Sequence, residues 1–203
     1  LKNIRKKREW AMKMKKRYKV IITTMLMLLT LLFAGLSVQA ATPKWKKVYK
    51  NFLQRNGDIY EYYFVLNIDG KGAPELIVSD DLCWSYRVYT IVGNKVKYAG
   101  CVENQSMKPR VRYNKVRKGI CGFWAGAGCT ERFFYTMSKN RLRTKCYLLY
   151  DNNHGKRIRY KVNYKACSAK TMKKYLNYYF KEKNIREYRC KINSWSNRKK
   201  SFG

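Results

Sequence analysis

The chain has 203 residues, with 46 Lys or Arg against 12 Asp or Glu and a formal net charge of +34. Charge of that size raises a positive potential over the whole surface and favours polyanionic partners. One histidine, His154, and 12 acids leave little material for chemistry that needs histidine or clustered carboxylates.

Residues 12–41 read as a secretory signal: a basic stretch, an apolar run and Ser-Val-Gln-Ala before Ala41. The apolar run, residues 20–36, is 17 residues long and interrupted by Thr23, Thr24, Thr30 and Gly35. A membrane-spanning helix needs about 20, so cleavage after Ala40 is the expectation and an uncleaved anchor the alternative. No later run is long enough to span a membrane. No cysteine precedes Cys83, which excludes a lipid-modified cysteine at the cleavage site. Residues 1–11 lie before Met12 and Met14 and read as a misplaced start. Residues 1–40 hold ten of the 46 basic residues and one of the 12 acids, so residues 41–203 carry +25. That remainder is one domain's worth of chain, long enough to bury a core without staples.

All seven cysteines (83, 101, 121, 129, 146, 167 and 190) follow the signal. In an exported chain they are disulfide candidates. Cys121 and Cys129 flank a Gly-rich turn and make the most plausible local bridge; an odd count leaves at least one free. A reducing habitat would leave all seven as buried thiols. No C-x-x-C is present, so a zinc ribbon or thioredoxin-type site is not expected.

After the signal, Thr42 and Pro43 read as the N-cap and first turn of a helix. Trp45, Val48, Tyr49, Phe52 and Leu53 form its apolar face, and Asn56-Gly57 ends it. Strand patterns follow over residues 59–68, 75–79, 86–92, 95–101, 111–116, 120–125, 129–137, 142–150 and 156–164. Gly93-Asn94 is a hairpin signature, and residues 102–110 read as a loop. Ser168 caps a second helix with Met172, Tyr175, Leu176, Tyr179 and Phe180 on one face. The expected fold class is α+β: an antiparallel β-meander of about seven or eight strands flanked by an N-terminal and a C-terminal helix. Residues 41–182 form the single domain and 183–203 a loosely held basic tail.

The most motif-like segment is Asn67-Ile-Asp69-Gly-Lys71-Gly-Ala-Pro-Glu75-Leu. Oxygens at the first, third, fifth and ninth positions of such a turn can converge on Ca²⁺. Asn67, Asp69 and Glu75 fill three of them, but the fifth is Lys71, an ammonium that repels a cation. With its neighbours this segment resembles exported proteins of unknown function from Gram-positive, gut-type Firmicutes. They carry D-I-D-G-D-G-x-P-E-L between two strands. The likeness extends to Pro43-Lys44-Trp45-Lys46-Lys47, Gly93-Asn94-Lys95-Val96-Lys97, Tyr113-Asn114, the glycines near 126–128 and the helix after Cys167-Ser168. It implies a loop and a fold type, not a reaction. The calcium idea belongs to the family's acidic loop; here a β-turn is expected, with the Lys71 ammonium in the ion's place between Asp69 and Glu75.

No P-loop, Rossmann fingerprint or G-x-S-x-G is present, so no cofactor, metal or catalytic residue is expected. His154 sits in a turn, Asp80-Asp81 in another. A glycosidase pair such as Glu75 with Glu103 or Glu131 is the hydrolase alternative. Five Trp and 18 Tyr belong chiefly to the core, while Trp84, Trp124 and Trp195 lie near turns where they could stack sugars or bases. The polyanion footprint is Arg110, Arg112, Lys115 and Arg117, with Arg198, Lys199 and Lys200; Arg110 and Arg112 share one strand face. The expectation is a secreted or envelope-associated, cationic, non-enzymatic binding protein for teichoic acid, acidic glycan, nucleic acid or an anionic lipid surface. A disulfide-stabilised interaction or inhibitor module is a further alternative, and AT-rich composition or solubility is the plain explanation of the charge.

Overall fold

In a computed structural model of the chain, the described residues form twelve strands divided between two antiparallel sheets, with helices outside them. The structure describes residues 43–105, 108–152 and 158–203, together with Met14 and Tyr18. The export signal and the turn at His154 otherwise lie outside the described residues.

Helix α1 (Lys44–Arg55) begins one residue later than the Thr-Pro pattern implied, with Pro43 as the N-cap. Tyr49 and Leu53 are its buried residues, and Asn56 ends it by donating its side-chain amide to the Phe52 carbonyl at 2.8 Å. Strands β1 (Tyr62–Leu66), β2 (Glu75–Ser79), β3 (Ser85–Val92) and β4 (Lys95–Glu103) follow as a meander. Strands β5 (Arg110–Asn114), β6 (Gly119–Gly126), β7 (Cys129–Ser138), β8 (Arg141–Asp151), β9 (Arg159–Val162) and β10 (Lys165–Cys167) form a second. Helix α2 (Ala169–Tyr179) is capped as expected, the Ser168 hydroxyl accepting from the Thr171 amide. A 3₁₀ turn (Glu182–Asn184), β11 (Ile185–Arg189), β12 (Lys191–Ile192) and α3 (Trp195–Phe202) complete the chain.

The smaller sheet runs β12-β1-β2-β3-β4 and the larger β10-β9-β8-β7-β6-β5-β11. Ile77, Tyr86, Val88 and Val102 of the first meet Val111, Tyr113, Ile120 and Tyr135 of the second in the central core. A second cluster lies under α1 and α3, where Tyr49 and Leu53 pack with Leu76, Val78 and Phe202. A third lies under α2, where Met172 and Phe180 cover Phe134, Cys146 and Leu148. The order of layers is therefore helices, sheet, sheet, helix.

Four features differ from the sequence reading. Among the described residues the strands number twelve, in two sheets rather than one run. The pattern over 156–164 breaks at Asn163-Tyr164, which turn with φ of +49° and +69° between β9 and β10; the turn lacks the glycine that would announce it. The expected loop at 102–110 is shorter, because β4 runs to Glu103 and Asn104 bridges to Phe123. Residues 183–203 are no loose tail. Strand β11 pairs with β5 and β12 with β1, so one segment borders both sheets, and Phe202 is only 2% exposed. The reason is that free strand edges and an apolar hole under α1 recruit a segment whose own apolar pattern is weak.

Candidate functional site

Where β4 leaves the core it crosses the larger sheet at Gly122. A Cβ there would lie 2.6 Å from the Glu103 carbonyl oxygen, so only glycine lets the two backbones approach. Beyond this crossing lies an open cleft of about 370 Å³, lined by Glu103, Trp124, Glu131, Phe133, Tyr135 and Thr144. The register explains the grouping. Trp124 stands opposite Glu131, Gly122 opposite Phe133, and Tyr135 opposite Thr144, all on the face turned toward the smaller sheet.

The cleft is floored by rings. Phe133 and Tyr135 stack at 5.9 Å between centroids, Phe133 and Tyr147 lie at 5.3 Å, and Tyr147 and Tyr164 stack at 4.4 Å. Tyr164 is 73% exposed at the tip of the β9–β10 turn, a left-handed position where an aromatic residue is rare. The Trp124 indole folds over Gly126, where a Cβ would meet its ring at 3.0 Å. Burial, and then the neighbouring Glu131 carboxylate, push the Tyr147 phenol up to about 12. The Glu103 amide donates to the Tyr135 hydroxyl at 3.4 Å. Aromatic faces beside two carboxylates can stack a ring and accept hydrogen bonds from its hydroxyls.

The expected polyanion residues do not gather into one free patch. Arg110 pairs with Glu187, and Arg112 forks onto both oxygens of Glu182 at 2.7 and 2.8 Å. They share a face of β5 as the strand period requires, but their charge fastens the C-terminal segment. The Arg117 guanidinium lies 3.5 Å from the Tyr178 ring centroid, and Lys115 is exposed. On α3, Arg198 donates to the Asn193 carbonyl at 2.8 Å, and Lys199 lies 5.0 Å from the Trp195 ring. Lys200 lines a groove with Trp45, Phe64 and Lys191.

In the 67–75 loop, Glu75 is 3% exposed and accepts from the Ile68 amide at 2.8 Å. Burial raises its pKa to about 7. Asp69 accepts from the Lys71 amide at 2.9 Å, while the Lys71 side chain is exposed and, among the described residues, makes no ion pair with either acid. The expected placement of its ammonium is thus corrected: the Lys118 ammonium lies against Gly70, 3.2 Å from where a Cβ would stand. Asn67 Oδ1 is buried without a hydrogen-bond partner. Among the described residues no cluster of three or more His, Cys, Asp or Glu is placed to hold a metal.

All seven cysteines are free thiols. The bridge expected between Cys121 and Cys129 is excluded by register. Cys129 faces Gly126 while Cys121 faces Phe134, five residues along the hairpin, about 17 Å at strand rise, and a disulfide spans less than about 7 Å between Cα atoms. Neither expected carboxylate pair forms, because Glu75 lies apart under its own loop; instead Glu103 and Glu131 line one cleft. Asp80 caps a turn by accepting from the Cys83 amide. The sequence signal that could have located the cleft is Gly122 within an otherwise apolar strand.

Fold and site together define an α+β sandwich with an open aromatic and acidic cleft on its larger sheet. Comparison with family models, curated proteins and solved structures finds no match for the chain.

Proposed function

We propose that this is an exported glycan-binding protein rather than an enzyme, acting at an anionic cell envelope. Sugar rings stack on Trp124 and Phe133, and Glu103 and Glu131 accept hydrogen bonds from ring hydroxyls. The basic surface draws in the polyanionic polymer that carries those sugars. The observation that carries this reading is the half-buried Trp124 and Phe133 rings opening onto one cleft beside two acids, in a chain otherwise poor in acids. Calorimetric titration with neutral oligosaccharides (cello-, chito- and manno-series) tests it. Trp124→Ala should weaken the best ligand by about tenfold or more, the loss expected for one stacking partner. An affinity unchanged by that substitution would remove the cleft from the reading.

The shared cleft of Glu103 and Glu131 also supports a second reading, glycoside hydrolysis by an acid and a base or nucleophile. Release of reducing ends from the same oligosaccharides, abolished in Glu131→Gln, would replace binding by catalysis.

A further inference from the structure

A second groove lies on the other face of the larger sheet, beside α2. It has a volume of about 280 Å³, with Leu148, Met172 and Leu176 as its apolar lining, Tyr150 and Tyr160 as walls, and Arg132 as its only charged lining residue among those described. Arg132 is half-buried, facing the α2 side of β7 between Phe123 and Leu148 of the neighbouring strands. Among the described residues its side chain makes no hydrogen bond and no ion pair. Its guanidinium carbon lies 5.9 Å from the Phe123 ring centroid and 6.0 Å from that of Phe180.

Glu182, whose charge reaches Arg132, is already held by both oxygens on Arg112. Burial and the Arg112 charge lower the Arg132 pKa, as a guanidinium short of a partner requires. A buried charge is ordinarily paired, and five N–H donors at the edge of an apolar groove ask for an acceptor that brings its own apolar body. One uncompensated guanidinium matches one negative charge, and its fork fits a carboxylate in two parallel hydrogen bonds. The groove has room for one acyl chain and not for a two-chain lipid.

We infer that this groove is a binding site for a medium-chain fatty-acid carboxylate, with its head on Arg132 and its alkyl chain against Leu148, Met172 and Leu176. The site is separate from the aromatic cleft and does not depend on it.

Decanoate, kept below its micelle concentration at high salt, is the probe, titrated calorimetrically into the full chain. One molecule should bind per chain, and decanol should bind about tenfold or more weakly. Arg132→Gln should cost decanoate at least about tenfold. Leu176→Glu, which places a competing carboxylate in the groove and leaves Arg132 in place, should do the same; melting temperatures check that both variants fold. If Arg132→Gln does not fold, the Leu176→Glu result decides. Failure of decanoate to bind, binding of several molecules per chain, or equal affinity for wild type and Leu176→Glu would each overturn the inference.

Discussion

Glu75 shows how burial, with a smaller push from the Asp69 charge, changes a side chain's chemistry. Its carboxyl is enclosed beneath the 67–75 loop and keeps its proton to about pH 7, against an ordinary value of 4.5. Between those two values the unfolded chain releases the proton that the folded chain retains. Stability from this group therefore falls as pH rises from about 4.5 to 7 and is level above that. The loss should be about 3 kcal/mol, read as a falling urea midpoint. Glu75→Gln keeps an acceptor for the Ile68 amide and should flatten the dependence across that window. The buried thiols make a second case. Burial pushes Cys121, Cys146 and Cys190 up to about 12, so few thiolates exist near neutrality. Iodoacetamide at pH 8 should modify these three in the native protein at least about a hundredfold more slowly than in urea, measured by mass spectrometry.

The C-terminal segment holds the architecture together at the scale of elements. It supplies an edge strand to each sheet and then a helix whose Phe202 packs on Tyr63 and Trp45, at 5.7 and 6.3 Å between ring centroids. Cys190, between the two strands, donates its amide to the Pro109 carbonyl at 2.7 Å. The Arg110–Glu187 and Arg112–Glu182 pairs bind the same segment to β5. Exposed pairs of this kind contribute little, so the anchor is apolar. Phe202→Ala should cost about 3 kcal/mol in urea unfolding, the usual loss for an aromatic removed from a core. Doubly neutralising Glu182 and Glu187 should cost far less.

If the proposed binding holds, the whole molecule's charge and its cleft should make separable contributions to it. Attraction of a polyanion by residues 41–203, which carry a net +25, depends on counterion release and weakens steeply with salt. Stacking in the aromatic cleft does not. Affinity for a charged envelope polymer should therefore fall with ionic strength to a floor, and that floor should equal the salt-independent affinity for the neutral oligosaccharide. A chain lacking the Trp124 indole should show the salt dependence without the floor.

Local pattern made much of this legible. The apolar stripes of α1 and α2, the Ser168 cap, the Gly93-Asn94 hairpin and the α+β class follow from periodicity and turn chemistry, which act over a few residues. The Asn163-Tyr164 turn was hidden because it uses no glycine and its flanks continue the strand pattern. Glu103 and Glu131 were visible as acids but not as neighbours, since strand register and the crossing of β4 over Gly122 bring them together. The sequence by itself determined the charge, the cysteine count, the helices α1 and α2 and the strands β1 to β9 in outline. Only the tertiary structure decided that Arg110 and Arg112 are occupied, that Cys121 and Cys129 lie apart, and that Trp124 and Phe133 meet Glu103 and Glu131 in one open cleft. Pairing and burial are set between segments distant in the chain, and no local pattern records them.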